Sequence, residues 1–205
     1  MIVHGATPSP FYRKVIVVLE EKGISYETKN TAPFPKTPEL MERHPLGKIP
    51  FLEVDGSFIP DSSVICNYLD RAHPDKPMVP SDPKQAARAL FLEEYADTKL
   101  NEAVGGIFFE RFVKPNVFQQ ETDEARVQQV IEDDLPGPLD YLEAQVPEKG
   151  WLAGEFSIAD AAVGNMLGSL QFARVELDEK RWPKLAAYRE RLFARPSFKK
   201  ALSFG

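Results

Sequence analysis

The sequence predicts an α/β unit of about 80 residues followed by an all-helical unit of about 120. Three observations carry that expectation. Up to Ala72, short apolar stretches with strand character alternate with segments of helical spacing. Between His73 and Pro83, HPDKPMVPSDP holds four of the chain's 18 prolines, and neither a helix nor a strand runs through such a stretch. From Lys84 onward every long periodic stretch reads as helix. The division this implies is residues 1–76, a linker over 77–83 and a helical unit over 84–205.

Met1 to Ala6 is a short apolar strand. Ser9 then stands before Pro10, the residue favoured at the first position of a helix. Phe11, Val15, Val18 and Leu19 repeat at helical spacing, and Gly23 closes the segment after Glu20, Glu21 and Lys22. ISYETKN alternates apolar and polar residues as a second strand, and PFLEVDGSFIP reads as two short strands about an Asp55-Gly56 hairpin turn. DSSVICNYLDRA follows as a helix with Val64, Ile65, Tyr68 and Leu69 on one face. The order is β-α-β, a connection, then β-β-α. In the second part, KQAARALFLEEYADTKLNEAVGGIFFERFV, DEARVQQVIEDDLPGPLDYLEAQV, SIADAAVGNMLGSLQFAR and WPKLAAYRERLFAR have helical spacing, with no internal repeat and no low-complexity segment.

Composition removes several function classes. A chain of 205 residues with 43% hydrophobic content can bury a real core. Its formal net charge of -6 argues against a nucleic-acid partner, which favours a basic face. No apolar run approaches the ~20 residues of a membrane span, and the N-terminus is not a leader, so a soluble cytoplasmic protein is expected. Cys66 is the only cysteine, which excludes a disulfide framework and any CxxC motif. His4, His44 and His73 are too dispersed for a metal centre.

Three local signals carry chemistry. The first is the Ser9 hydroxyl at a strand-to-helix turn: it can cap the helix, act as a nucleophile, or donate to an anion held at the positive end of the helix. A nucleophile needs an oriented base, and no G-x-S-x-G turn is present. The second is HPLGKIPFL, His44 to Leu52. A cis Ile49-Pro50 bond there would present the Ile49 backbone to a guest chain, whereas a trans proline would merely end a loop. The third is PDSS, in which Asp61 and Ser62 stand at a helix start, placed to cap it or to receive a carboxylate and an amine. Lys36 and Lys48 flank these segments.

The order of these motifs resembles a cytosolic glutathione transferase: strand, Ser-Pro-Phe, HPLGKIPFL, a DG hairpin, DSSVICNYLDRAHPDKPMVP and an all-helical remainder. The likeness covers the whole chain and extends to WLAGEFSIADAAVG, whose Ser157 and Asp160 look like the family's capping box, a folding device. The resemblance implies a thioredoxin-like N-terminal domain and a helical domain bordering the second-substrate pocket. It implies Ser9 as the catalytic hydroxyl, in a setting most like the tau class and bacterial relatives. It also implies that Ile49, before a cis Pro50, pairs with the cysteinyl backbone of glutathione, that Asp61 and Ser62 hold the γ-glutamyl end, and that Lys36 and Lys48 face the glycine carboxylate. The family pattern usually has Asn at His44 and Glu at Asp61.

The chemistry expected from the resemblance is thiol activation: a free thiol has pKa ~8.5, and a hydrogen bond from Ser9 with the helix N-terminus favours the thiolate. GGIFFERFV and Phe172 suggest an apolar pocket around Phe108, Phe109 and Phe112, or simply core, for a small hydrophobic electrophile; aryl halide, organic peroxide and isomerisable diene stay open. Asp97 falls near where some classes supply an acidic residue across a dimer. Cys66 is expected to be structural, offset from its helix's apolar face and near a subunit contact. Glutathione is expected as co-substrate, with no permanent cofactor, in a homodimer. Two rivals share the scaffold: a maleylacetoacetate-type isomerase, whose Ser-Ser-Cys turn TPSPF does not match, and a non-enzymatic glutathione-transferase-like protein, against which Ser9, Lys48, Asp61 and Ser62 argue.

Overall fold

The structure is a computed structural model that describes residues 1–203. Its first unit contains β1 (Ile2–Gly5), α1 (Pro10–Lys22), β2 (Glu27–Asn30), α2 (Pro38–Arg43), β3 (Phe51–Val54), β4 (Ser57–Pro60) and α3 (Ser62–Ala72). The sheet order is β2-β1-β3-β4. Its mixed sense follows from the connections. The α1 crossover returns β2 parallel to β1, whereas β1 and β3, and β3 and β4, pair antiparallel. The β3–β4 turn is the expected Asp55-Gly56 pair, with φ of 48° and 78°, the positive values a tight hairpin requires. This is the thioredoxin-like arrangement.

Three expectations change here. β2 is confined to Glu27–Asn30, and all four of its residues are exposed; Ile24 and Tyr26, read as part of the strand, instead pack against the core ahead of it. The stretch read as a plain connection contains α2, capped where Thr37 Oγ1 accepts the Leu40 N–H at 3.2 Å. The buried face of α3 is Ser62, Ile65, Cys66 and Leu69, while Val64 is exposed and Tyr68 half-buried. The helix is turned by roughly one residue from the assumed phase, and Cys66 serves as a small core side chain.

The second unit comprises α4 (Pro83–Tyr95), α5 (Asn101–Phe108), α6 (Glu124–Gln129), α7 (Pro136–Gln145), α8 (Ile158–Phe172), α9 (Pro183–Ala194) and α10 (Pro196–Leu202). Widened turns continue α4 over Ala96–Leu100, α5 over Phe109–Phe118 and α6 over Val130–Asp134. Helix α8 is the axis, buried from Ile158 to Leu170. Its start is the expected capping box. The buried Asp160 carboxylate accepts the Ser157 N–H at 2.9 Å, the Leu152 N–H at 3.0 Å and the Tyr188 hydroxyl at 2.6 Å. A Cβ at Gly164 would lie 2.4 Å from a Phe198 ring carbon, so glycine is what lets Phe198 reach the helix.

Helix α1 packs against both α8 and α10. The proline-rich stretch is pinned between α3 and α8: Met78 is buried, its carbonyl accepts the Ile158 N–H at 2.8 Å, and the Asp70 carboxylate accepts the Met78 and Val79 N–H groups. No described helix is long and apolar enough to cross a membrane.

Candidate active site

Pairing across the sheet decides which motifs meet. His4 pairs with Phe51, and Phe51 with Pro60, so the chain leaves β1, enters β3 and leaves β4 at one end of the sheet. Ser9 after β1, Ile49-Pro50 before β3 and Asp61-Ser62 after β4 therefore converge there. The N-termini of α1 and α3 converge with them, concentrating unpaired N–H groups and positive dipole ends.

Residues 6–9 form a tight turn closed by the Ser9 N–H on the Ala6 carbonyl at 2.9 Å. Ser9 is the N-cap of α1 with extended backbone, and its Oγ accepts the Tyr12 N–H at 3.3 Å. The cap uses a lone pair only. Among the described residues the Ser9 hydroxyl proton has no acceptor, so capping leaves it free to donate.

The Ile49-Pro50 bond is cis, as is Phe34-Pro35, which sequence reading did not single out. Among the described residues neither the N–H nor the C=O of Ile49 has a hydrogen-bond partner. Asp61 caps α3 at a φ of 74°, its Oδ1 accepting the Ser63 N–H at 2.9 Å and the Val64 N–H at 3.2 Å. Its other oxygen is free among the described residues, and the Ser62 hydroxyl beside it is also unpaired. Lys48 is exposed; Lys36 is exposed too, its Nζ on the Leu46 carbonyl at 3.3 Å. His44 binds the loop together: its carbonyl accepts the Gly47 N–H at 2.7 Å and its Nδ1 the Leu46 N–H at 3.4 Å. Burial lowers the His44 pKa, Asp61 pulls it up and Lys48 down, so both charges lie close to this ring.

Beneath the turn lies a cluster that sequence reading missed. Lys14, 1% exposed, bonds Glu93 Oε1 at 2.6 Å, Ser63 Oγ at 3.2 Å and the Asp97 carboxylate. Ser63 also donates to Glu93. One ammonium thus serves two carboxylates and ties α1 and α3 to α4 and its extension. Burial would lower the Lys14 pKa, but Asp97 and Glu93 outweigh it and raise it. For Asp97 burial dominates over Lys14 and pushes the carboxyl up to about 6; its Oδ1 is buried without a partner. Asp97 thus belongs to an intrachain cluster.

The aromatic stripe divides. Ile107 is core; Phe108 and Phe112 are half-buried and stack at 4.9 Å; Phe109 is exposed and faces Phe118 at 6.1 Å. Phe118 in turn meets Phe34 of the α/β unit at 5.2 Å, a bridge between the units that sequence did not reveal. Cys66, 2% exposed, lies in the core rather than off the apolar face, and burial pushes its thiol up to about 12, which makes it an inert structural group. A recess of about 360 Å³ lies elsewhere, between Leu135, Leu170, Leu177 and Trp182, and shares no residue with the site. Among the described residues no group of three or more His, Cys, Asp or Glu side chains is arranged to hold a metal ion.

The sequence matches the family models of the Glutathione S-transferase N-terminal domain over residues 3–77 and of its C-terminal domain over residues 108–203. The uncharacterized GST-like protein YibF of Escherichia coli is 30% identical over 199 residues, covering 95% of this chain and 94% of that protein. Glutathione S-transferase U26 of Arabidopsis thaliana is 31% identical over 203 residues, covering 96% and 86%. A glutathione S-transferase from Methylobacterium radiotolerans, solved in complex with glutathione sulfonate, superposes with a TM-score of 0.80 at 30% identity, covering 100% of this chain and 96% of that one.

Proposed function

The chain belongs to the glutathione S-transferase family, and from that premise we propose that it binds glutathione across the shared sheet end and that Ser9 activates its thiol. The observation that carries the reading is the double use of one hydroxyl: Ser9 Oγ caps α1 as an acceptor while its proton stays free for an anion. The unpartnered Ile49 backbone offers the cysteinyl peptide a strand-like partner. Asp61's free oxygen and the Ser62 hydroxyl suit the γ-glutamyl ammonium and carboxylate, and Lys36 and Lys48 suit the glycine carboxylate.

A thiol of pKa ~8.5 is only a few per cent ionised at neutral pH, and the thiolate is the nucleophile. A neutral donor and two helix N-termini favour the anion without deprotonating anything themselves, so Ser9 is never covalently modified. The thiolate then attacks a small hydrophobic electrophile beside Phe108, Phe109 and Phe112. We assign residues 1–76 to glutathione binding, 77–83 to the connection and 84–205 to the electrophile side. The proposed assembly is a cytoplasmic homodimer, the α/β unit of one subunit against the helical unit of the other. The exposed Leu46 and Val64 on one unit and Leu90 and Phe91 on the other support it.

The test is retention on immobilised glutathione together with conjugation of an aryl halide. Ser9→Ala should stay bound to the matrix while its turnover at pH 6.5 falls by ~30- to 100-fold, the thiolate lost if its pKa rises about two units. Wild-type turnover in the variant would end the assignment.

A further inference from the structure

Arg13 is fully buried, yet no carboxylate faces it. Every donor it offers goes to a neutral acceptor. One terminal nitrogen donates to the Thr7 carbonyl at 2.9 Å and the Pro8 carbonyl at 2.7 Å. The other donates to the Asn165 carbonyl at 2.8 Å and Ser169 Oγ at 2.7 Å, and Nε donates to Asn165 Oδ1 at 3.3 Å. The guanidinium also lies 4.6 Å over the Phe172 ring. The acceptors therefore come from two places only: the turn that carries Ser9, and α8.

A buried cation without a counter-ion is costly, and a core position on α1 is filled at less cost by an apolar residue. Burial lowers the Arg13 pKa to about 9, which still leaves it charged at neutral pH. The two carbonyls it holds are those immediately before Ser9. Their negative ends point into the protein interior, away from an anion at the helix start. We propose that Arg13 is a positioning residue for thiol activation: it clamps the 6–9 turn to α8, so that the Ser9 hydroxyl and the α1 N-terminus face the sulfur while two carbonyl dipoles are turned away. The inference rests on Ser9 as the thiol's donor. Lysine cannot replace the clamp, since an ammonium lacks the planar fork that reaches both sides at once.

The charged groups near this end of the sheet are Lys48 and Asp61 on the neighbouring loops, both acting on His44, with Lys14 one residue along α1 already engaged by Glu93 and Asp97. None contacts Arg13, so a change at Arg13 reaches the thiol through the turn. The experiment titrates the thiol of bound glutathione by its thiolate absorbance in wild type, Arg13→Lys, Ser9→Ala and the double variant, with melting temperature measured for each. Arg13→Lys is expected to raise the apparent thiol pKa by about half a unit to one unit while changing glutathione affinity less than ~3-fold. In the Ser9→Ala background the same substitution should add no further shift, because the group it positions is gone. Ser169→Ala, which removes one anchor on α8 and keeps the arginine, should shift the thiol in the same direction by less and supplies the answer if Arg13→Lys does not fold. An Arg13→Lys protein that melts lower yet titrates like wild type would reduce Arg13 to a strut. A shift of equal size with and without Ser9 would equally overturn the clamp. If Ser9→Ala itself leaves the titration unmoved, it is the reading of Ser9 that fails.

Discussion

Replacing Lys14 by methionine isolates the cluster that joins the two units. Methionine keeps most of the side-chain length and apolar stem and deletes the ammonium, which sits 2.6 Å from Glu93 Oε1 and also bonds Asp97. Two carboxylates then remain in a site that is largely closed to water, bridged by the Ser63 hydroxyl alone. Breaking a buried ion pair from one side costs about 3–5 kcal/mol. At roughly 2–4 °C per kcal/mol for a chain of this size, the melting temperature should fall by ~6–20 °C at pH 7.5. The pH dependence has a fixed sign. With the cation gone, the Asp97 carboxyl, already raised by burial, loses the charge that held it down, so the fold binds more protons than the unfolded chain, and stability rises as pH falls. The deficit measured by thermal melts should therefore shrink between pH 7.5 and pH ~5. A deficit below ~1 kcal/mol, or one of equal size at both ends of that range, would refute the description of this cluster as a buried, net-negative ion group.

Two further substitutions read the same physics. In the wild type the Asp97 pKa is raised from an unfolded value of ~3.9 to about 6, so this group alone makes the fold lose stability as pH climbs through that window. Asp97→Asn should flatten the stability curve there, the difference between the two proteins having a slope of at most ~1.4 kcal/mol per pH unit in urea titrations; parallel curves would contradict the raised pKa. Asp160→Ala strips the acceptor from the Leu152 and Ser157 N–H groups and from the Tyr188 hydroxyl, at ~1–3 kcal/mol for each donor left buried and unpaired. It should lower the yield of folded protein and the melting temperature, while any folded fraction keeps wild-type thiol titration.

What the sequence made legible was what local chemistry dictates. Ser9-Pro10 and Gly23 bound α1 as starting and stopping signals do, Asp55-Gly56 turns the hairpin, and Ser157 with Asp160 caps α8. The convergence of Ser9, Pro50 and Asp61 was legible only through family resemblance, because it arises from strand pairing that no single segment encodes. Arg13 escaped notice since its partners Asn165 and Ser169 lie 152 and 156 residues away. A signal existed: Val15 to Leu19 is an unbroken apolar run that marks the middle of α1 as buried on every side, and Arg13 and Lys14 stand directly before it on the same buried segment. Helix α2 was missed although Thr37-Pro38 marks its start, because six residues make too short a period to detect. The phase of α3 turns on Cys66, which packs as a small core residue although its residue type suggests a thiol set off from the apolar face.

The most direct measurement of the central claim is the ionisation of glutathione's own sulfur on the protein. Thiolate absorbance of the binary complex, followed from pH 5 to 10, should give a midpoint about two units below the free thiol's ~8.5 for the wild type. In Ser9→Ala that midpoint should move most of the way back. Coincident titration curves for the two proteins would show that the hydroxyl caps a helix and stabilises no thiolate.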